Sequence, residues 1–343
     1  MIIGGICWAV CRKAAAPVSE EGEVIKIGIT TALSGDYADY GLNILKGVKE
    51  AIEEINQNDY LSKKIELLAE DNQADAKNAV SNYQLFKSQN AKIVLSSFSG
   101  ITGALNPLSK NDKIILMYNA MATSFADENE YAFQIYSDAD RESDIAINWL
   151  KDKKEKLGVA YVMNPATELM VEKLEKKLDF SKHGFDIGET DFKTIILKLK
   201  NDDVDGIVIF GYSNQIINFA KQVVELKYAP KFIFSTSDGS RDDVILQVYS
   251  SLKENIQYIV AGYGLEHQDY VFGYDLIKTL AKGMKKCEDL NIKAGDPECL
   301  KENLKNVKVE GKSGIIDMNG TNKAVVLPKL FTITDGNLTL LEE

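Results

Sequence analysis

The residues best suited to chemistry in this chain stand at the ends of short apolar runs. Ser99, Gly100 and Thr102 follow the run at 92–96 and precede a helical pattern that starts near Ile101. A helix N-terminus offers backbone N–H groups without intrahelical partners and the positive end of the helix dipole, so it favours an anion. Gly100 lets a ligand approach the backbone closely, and Ser99 and Thr102 add hydroxyl donors. A ligand carboxylate is the natural occupant. The alternative is a serine that caps only its own helix. Thr123 follows the next apolar run, 113–118, on the same edge. Asp238 follows the run at 231–235 through Thr236 and Ser237. Its carboxylate either meets a ligand cation in a dry cleft or caps the segment after it.

The signatures of common catalysts are missing. The first strand-like run ends in Leu33-Ser34-Gly35-Asp36, with no Gly-x-Gly-x-x-Gly opening a helix. Gly311-Lys312-Ser313 lacks the upstream glycine of a phosphate-binding loop, and no Gly-x-Ser-x-Gly elbow occurs. The two histidines, His183 and His267, leave few ways to build a nucleophilic triad. Neither lies near a cysteine at zinc spacing. The expectation is a protein that is not an enzyme, with no cofactor and no metal. Paired carboxylates in so acidic a chain keep an enzyme as the alternative.

The positioning elements follow from hydrophobic periodicity. Strand-like runs at 24–33, 64–69, 92–96, 113–118 and 131–136 alternate with helical stripes, the first of which carries Leu45, Val48, Ile52 and Ile55. The cycle restarts with strands at 157–163, 206–210, 231–235 and 256–261, helices between them, a long helix at 270–286, and extended segments at 314–318 and 325–333. Such alternation predicts parallel sheets with helices on both faces. The repeats are too many for one ordinary sheet, so two lobes are expected, each offering the carboxyl edge of its strands to a shared cleft. The net charge of −11 is spread along the chain, which argues against nucleic acid as a partner.

The termini of these runs resemble a known family. Ile25-Lys26-Ile27-Gly28-Ile29, Leu33-Ser34-Gly35, Tyr37, Tyr40-Gly41, Gly47, Ala51 and Ile55-Asn56 resemble the opening of type I periplasmic binding proteins of the leucine/isoleucine/valine-binding branch. Glu70-Asp71-Asn72-Gln73-Ala74-Asp75, Ser97-Phe98-Ser99-Gly100 and Ala122-Thr123-Ser124 extend the resemblance, which covers about residues 24–335. It implies a two-lobed α/β fold, with parallel sheets flanked by helices and three interlobe crossovers near 138, 262 and 318. The implied lobes are 23–137 plus 263–317, and 138–262 plus 318–343, after a leader at 1–22. The implied function is extracytoplasmic binding of a small carboxylate ligand, expected to be an amino acid, for delivery to the membrane subunits of an ABC-type permease. A ligand-sensing receptor or regulator on the same fold is the alternative.

The resemblance also assigns roles. It favours Ser99 over Gly100 and Thr102 as the carboxylate contact. It gives the ligand a backbone carbonyl from Met121 and a hydroxyl from Thr123, an aromatic wall from Tyr40, and Tyr212 with Asp238 from the second lobe. Tyr40 has the alternative of packing the start of its helix against the sheet. Two departures stand out: Met121 replaces a small residue, and Asn164-Pro165-Ala166-Thr167-Glu168 replaces a Tyr-Gly pair, so that Thr167 or Glu168 takes the tyrosine's place.

Compartment leaves its own marks. Residues 1–10 are apolar and are followed by Arg12, Lys13 and Ala14-Ala15-Ala16, like the end of a secretory signal. Cys11 is a candidate for lipid attachment, although Val10 departs from the usual small residue before such a cysteine. The alternative is a misassigned start or a cloning remnant. Cys287 and Cys299 flank a polar stretch with Gly295 and Pro297. An oxidising compartment would let them pair; otherwise they are two free thiols.

Overall fold

The computed structural model describes residues 24–341 apart from 137, 253–255, 266 and 325–326, so the leader-like segment with Cys7 and Cys11 lies outside the described residues. The first block runs β1 (Ile25–Thr31), α1 (Ala38–Gln57), β2 (Ile65–Asp71), α2 (Ala76–Ser88), β3 (Ile93–Ser96), α3 (Ser99–Asp112), β4 (Ile115–Tyr118), α4 (Ser124–Glu128) and β5 (Ala132–Gln134). Its five strands form a parallel sheet in the order β2-β1-β3-β4-β5. β3 and β4 are buried along their whole length, as strands covered on both faces must be.

The second block runs α5 (Ala139–Leu150), β6 (Leu157–Val162), α6 (Pro165–Glu175), β7 (Phe180–Phe185), α7 (Lys193–Asn201), β8 (Gly206–Phe210), α8 (Ser213–Glu225), β9 (Phe232–Ser235), a 3-10 turn (Ser237–Ser240), α9 (Asp242–Leu252) and β10 (Gln257–Gly262). The remainder is α10 (Gln268–Asp289), α11 (Pro297–Leu304), β11 (Lys308–Gly311), β12 (Gly314–Asp317), β13 (Lys329–Thr334) and β14 (Asn337–Leu340). The second sheet has seven strands in the order β14-β13-β10-β9-β8-β6-β7. It is not purely parallel: β13 runs antiparallel to β10, and β14 antiparallel to β13. A two-residue Asp335-Gly336 turn with both φ angles positive makes that hairpin, the geometry that matches strand twist.

Both sheets reverse their order beside one strand, β1 in the first and β6 in the second, and ligands bind outside the strand ends at such a reversal. The chain passes between the two blocks after β5, after β10 and, beyond a separate two-stranded β11-β12 sheet, before β13. The second passage brings α10 onto α1. That crossing is tight: a β-carbon at Gly47 would lie 2.0 Å from the Tyr270 carbonyl oxygen, and one at Gly273 2.1 Å from that of Ile44. The stripe Leu45, Val48, Ile52 and Ile55 is buried at this contact and against the sheet, together with Leu276, Ile277 and Leu280. Cys287 in α10 and Cys299 in α11 are joined by a disulfide, with Cα atoms 6.0 Å apart.

Candidate functional site

The carboxyl edges of the two sheets face one another across a cavity of about 70 Å3. Its walls come from the ends of β3 and β4 on one side and of β6, β8 and β9 on the other, with the first turn of α10 completing it.

The first wall is built around Ser99. Ser99 is the first residue of α3, 4% exposed, and its hydroxyl oxygen accepts the Ala122 N–H at 3.3 Å. A hydroxyl that accepts from the backbone keeps its own proton to donate. No side chain caps α3; the cap position is Phe98, whose φ of 65° and ψ of 131° lie where non-glycine residues are rarely found. The helix therefore starts with its dipole and first-turn N–H groups unscreened by a side-chain oxygen, beside the cavity. Asn119, just past β4, and Met121 also line this wall. Tyr40 lines it from the start of α1, where Gly41 is required because a β-carbon there would sit 1.7 Å from the Ala32 carbonyl oxygen.

Gly100, Thr102 and Thr123 do not line the cavity. Gly100 is exposed, and a β-carbon on it would meet nothing within 4 Å. The Thr102 hydroxyl is buried against that of Ser96 at 2.9 Å. The Thr123 hydroxyl donates to Asp140 Oδ2 at 2.7 Å.

On the second wall, Tyr212 and Asp238 both line the cavity, Asp238 within the 3-10 turn after β9. Asn164 and Thr167 line it where the Asn164-Pro165-Ala166-Thr167-Glu168 segment stands, and Glu168 does not. Asn164 Oδ1 is occupied as the N-cap of α6, accepting the N–H groups of Ala166 and Thr167 at 2.9 and 3.1 Å. The Thr167 hydroxyl donates to the Val162 carbonyl.

The walls are already in contact. Tyr40 Oη accepts the Ser213 N–H at 2.8 Å and lies 2.6 Å from the Ser213 hydroxyl. Tyr37 donates to the Ile187 carbonyl at 2.6 Å. Burial, with the Asp36 and Asp238 carboxylates adding, pushes the Tyr37 phenol up to about 12, so it remains a donor. Tyr37, Tyr40, Phe98 and Tyr212 form one ring cluster with centroids 5.3–6.3 Å apart. Arg241 follows the 3-10 turn, lies 4.0 Å over the Tyr40 ring, and bonds Asp39 of α1 and Asp269 of α10. It is 7% exposed, so this charge is paired rather than solvated.

Behind the second wall sits Glu142, 0% exposed. It accepts the Ser237 N–H at 3.1 Å, and the Tyr263 hydroxyl donates to it at 3.3 Å. Burial pushes its carboxyl up to about 8, and the nearby Asp238 charge acts in the same direction. Tyr263 Oη also accepts the Asp138 N–H at 3.2 Å, and Arg141 donates to the Ala324 carbonyl at 3.3 Å. The three passages between the sheets are thus tied to each other and, through Glu142, to the turn that carries Asp238.

Sequence reasoning did not single out Asn119, Gln268, Asp269, Glu142 or Arg241, and it flagged Asn164 only as part of the segment that departs from the family. Asn119 had a usable signal, a polar residue directly after the apolar run of β4. Gln268 and Asp269 had none, because only the second passage brings the start of α10 to the cavity. Among the described residues no cluster of His, Cys, Asp and Glu is arranged to hold a metal, and no helix is long and apolar enough to cross a membrane.

Residues 24–261 match the family described as periplasmic binding protein. The chain is 24% identical over 289 residues to a Leu/Ile/Val-binding protein homolog of Brucella abortus, an alignment covering 76% of this chain and 78% of that protein. Its fold is similar to that of the branched-chain amino-acid transporter substrate-binding protein of Streptococcus pneumoniae in complex with isoleucine. That likeness has a TM-score of 0.76 at 21% identity and covers 92% of this chain and 98% of the other. An ABC-transporter solute-binding protein of Rhodopseudomonas palustris in complex with 3,4-dihydroxybenzoic acid is similar at a TM-score of 0.76 and 19% identity, covering 93% and 96%.

Proposed function

The chain belongs to the periplasmic binding protein family, and from that premise we propose that it captures a small amino acid in the cleft between its sheets. Members of the family bind small solutes for ABC transporters, hand them to permease subunits, and are not enzymes. Family membership implies an extracytoplasmic location, and the Cys287–Cys299 disulfide accords with an oxidising compartment.

The ligand carboxylate lies at Ser99 and the start of α3, and the ammonium faces Asp238. The observation that carries this reading is the pairing of chemistries across one small cavity: an uncapped helix start with a donor hydroxyl on one side, a carboxylate on the other. Tyr40 and Tyr212 cover the part between, whereas the Met121 carbonyl already accepts the Ala139 N–H at 3.0 Å, so Met121 contributes its side chain to the wall rather than its carbonyl to the ligand. We assign Thr102 and Thr123 to holding up the wall, since their hydroxyls have protein partners. The lobes are 23–137 plus 263–317 and 138–262 plus 318–343, hinged at the passages where Tyr263, Asp138, Arg141 and Ala324 meet.

Thermal melting against a panel of amino acids and simple carboxylates tests the reading. A true ligand at a hundredfold excess over its Kd stabilises the protein by about 2.7 kcal/mol. Stabilisation by simple carboxylates alone, with no amino acid active, contradicts it.

A further inference from the structure

Among the described residues, Asn119 Oδ1 is a buried acceptor of the cleft that the protein itself leaves unsatisfied. Four buried side-chain atoms lack a hydrogen-bond partner among the described residues, and of these only Asn119 Oδ1 belongs to a residue lining the cavity. Asn119 is 8% exposed, so water does not freely serve it. Its backbone is fixed at the end of β4, where its N–H donates to the Ser96 carbonyl at 3.3 Å. Four other polar residues that line the cavity have protein partners. Ser97 meets the Thr31 hydroxyl at 2.8 Å, Asn164 caps α6, Gln268 donates to the Ser237 carbonyl at 3.3 Å, and Asp269 holds Arg241.

A buried acceptor without a partner costs about 1–3 kcal/mol, and a ligand that brings a donor recovers it. A site of this kind rejects an analogue lacking the donor far more strongly than an apolar pocket rejects one with a group too many. With the carboxylate at Ser99 and the ammonium at Asp238, what remains to meet Asn119 is the ligand's side chain. We propose that Asn119 Oδ1 is the specificity determinant of the cleft: it accepts a hydrogen bond from an O–H or N–H on the ligand's side chain. The cleft then selects a small amino acid with a hydroxyl or amide side chain over a branched aliphatic one. This inference rests on the amino-acid reading above, and its test separates the two.

The test is calorimetric binding of shape-matched pairs: L-threonine against L-valine, L-asparagine against L-leucine, and 4-hydroxybenzoate against 4-methylbenzoate. The wild-type protein is expected to favour the donor-bearing member of a bound pair by about tenfold to a hundredfold. Asn119→Leu brings that ratio close to one. Asn119→Asp keeps it, because a carboxylate offers acceptors only; a lost or reversed ratio there overturns the assignment. The wild-type ratio needs no variant, so a misfolded variant cannot hide the answer. A preference confined to the benzoates, lost in Asn119→Leu, sinks the amino-acid reading and leaves Asn119 as the determinant. Equal affinities within every pair, or no binding by any of the six compounds, overturn the inference.

Discussion

The edge of the five-stranded sheet and the edge of the seven-stranded sheet reverse strand order in the same way, yet their polar groups have different occupations. On the first edge Ser99 keeps a donor proton, α3 starts without a side-chain cap, and Asn119 keeps an acceptor, and both residues line the cavity. On the second edge Ser213 is bonded to Tyr40, Arg241 to Asp39 and Asp269, and the turn that carries Asp238 to Glu142. The difference teaches a division of labour. On the proposed reading, the first edge is preformed to take the ligand, and the second holds the cleft shut and ties it to the passages.

The largest expected effect comes from the group that joins the second edge to those passages. Glu142 holds a proton up to about pH 8 in the folded protein, whereas an unfolded glutamate releases it near 4.5. Its contribution to stability is therefore complete below about pH 4.5, declines as pH rises, and is gone above about 8. The decline amounts to something on the order of 4 kcal/mol across the window. Glu142→Gln carries no such proton, so urea midpoints of this variant should lose less between pH 5 and pH 8 than those of the wild type. Parallel losses would show that Glu142 titrates as an ordinary surface acid.

Next in size is the latch. Arg241→Met leaves Asp269 without its partner in the closed cleft, where removing a charged hydrogen bond costs about 1.5–3 kcal/mol. Affinity should fall about tenfold to a hundredfold. Stopped-flow kinetics should place the loss in dissociation, because the first edge still receives the ligand. A loss confined to association would erase the proposed division between the edges. The smallest effect is that of Tyr37→Phe, which deletes only the bond to the Ile187 carbonyl. A neutral bond of this kind contributes about 0.5–1.5 kcal/mol, so dissociation should quicken by about two- to tenfold. No change in dissociation would remove Tyr37 from the closing contacts.

What the sequence made legible follows the same physical line. The buried strands β1, β3, β4, β6, β8 and β9 announce themselves as apolar runs, and residues just past such runs, Ser99 and Asp238 among them, stand on a carboxyl edge. β7 and β14 carry no comparable signal, because each lies at the rim of the seven-stranded sheet, with polar residues such as the half-buried Ser181 and His183 and the exposed Asn337. Thr123 illustrates the opposite limit. Its position after β4 is legible, but whether its hydroxyl faces the cavity or Asp140 depends on α5, which arrives only after the first passage. Arg241 and Asp269 lie far apart in the sequence and meet only because α10 returns to α1, so no local pattern could pair them.

The central claim is that one zwitterionic ligand bridges the two edges, carboxylate to the first and ammonium to the second. Calorimetry of wild type, Ser99→Ala and Asp238→Asn with one bound amino acid and its deaminated analogue tests it most directly. Ser99→Ala should weaken both ligands by about tenfold to a hundredfold, since each carries the carboxylate. Asp238→Asn should weaken the amino acid and leave the analogue nearly unchanged. If Ser99→Ala alters neither affinity, or if Asp238→Asn weakens both ligands equally, the bridge does not exist in the form described.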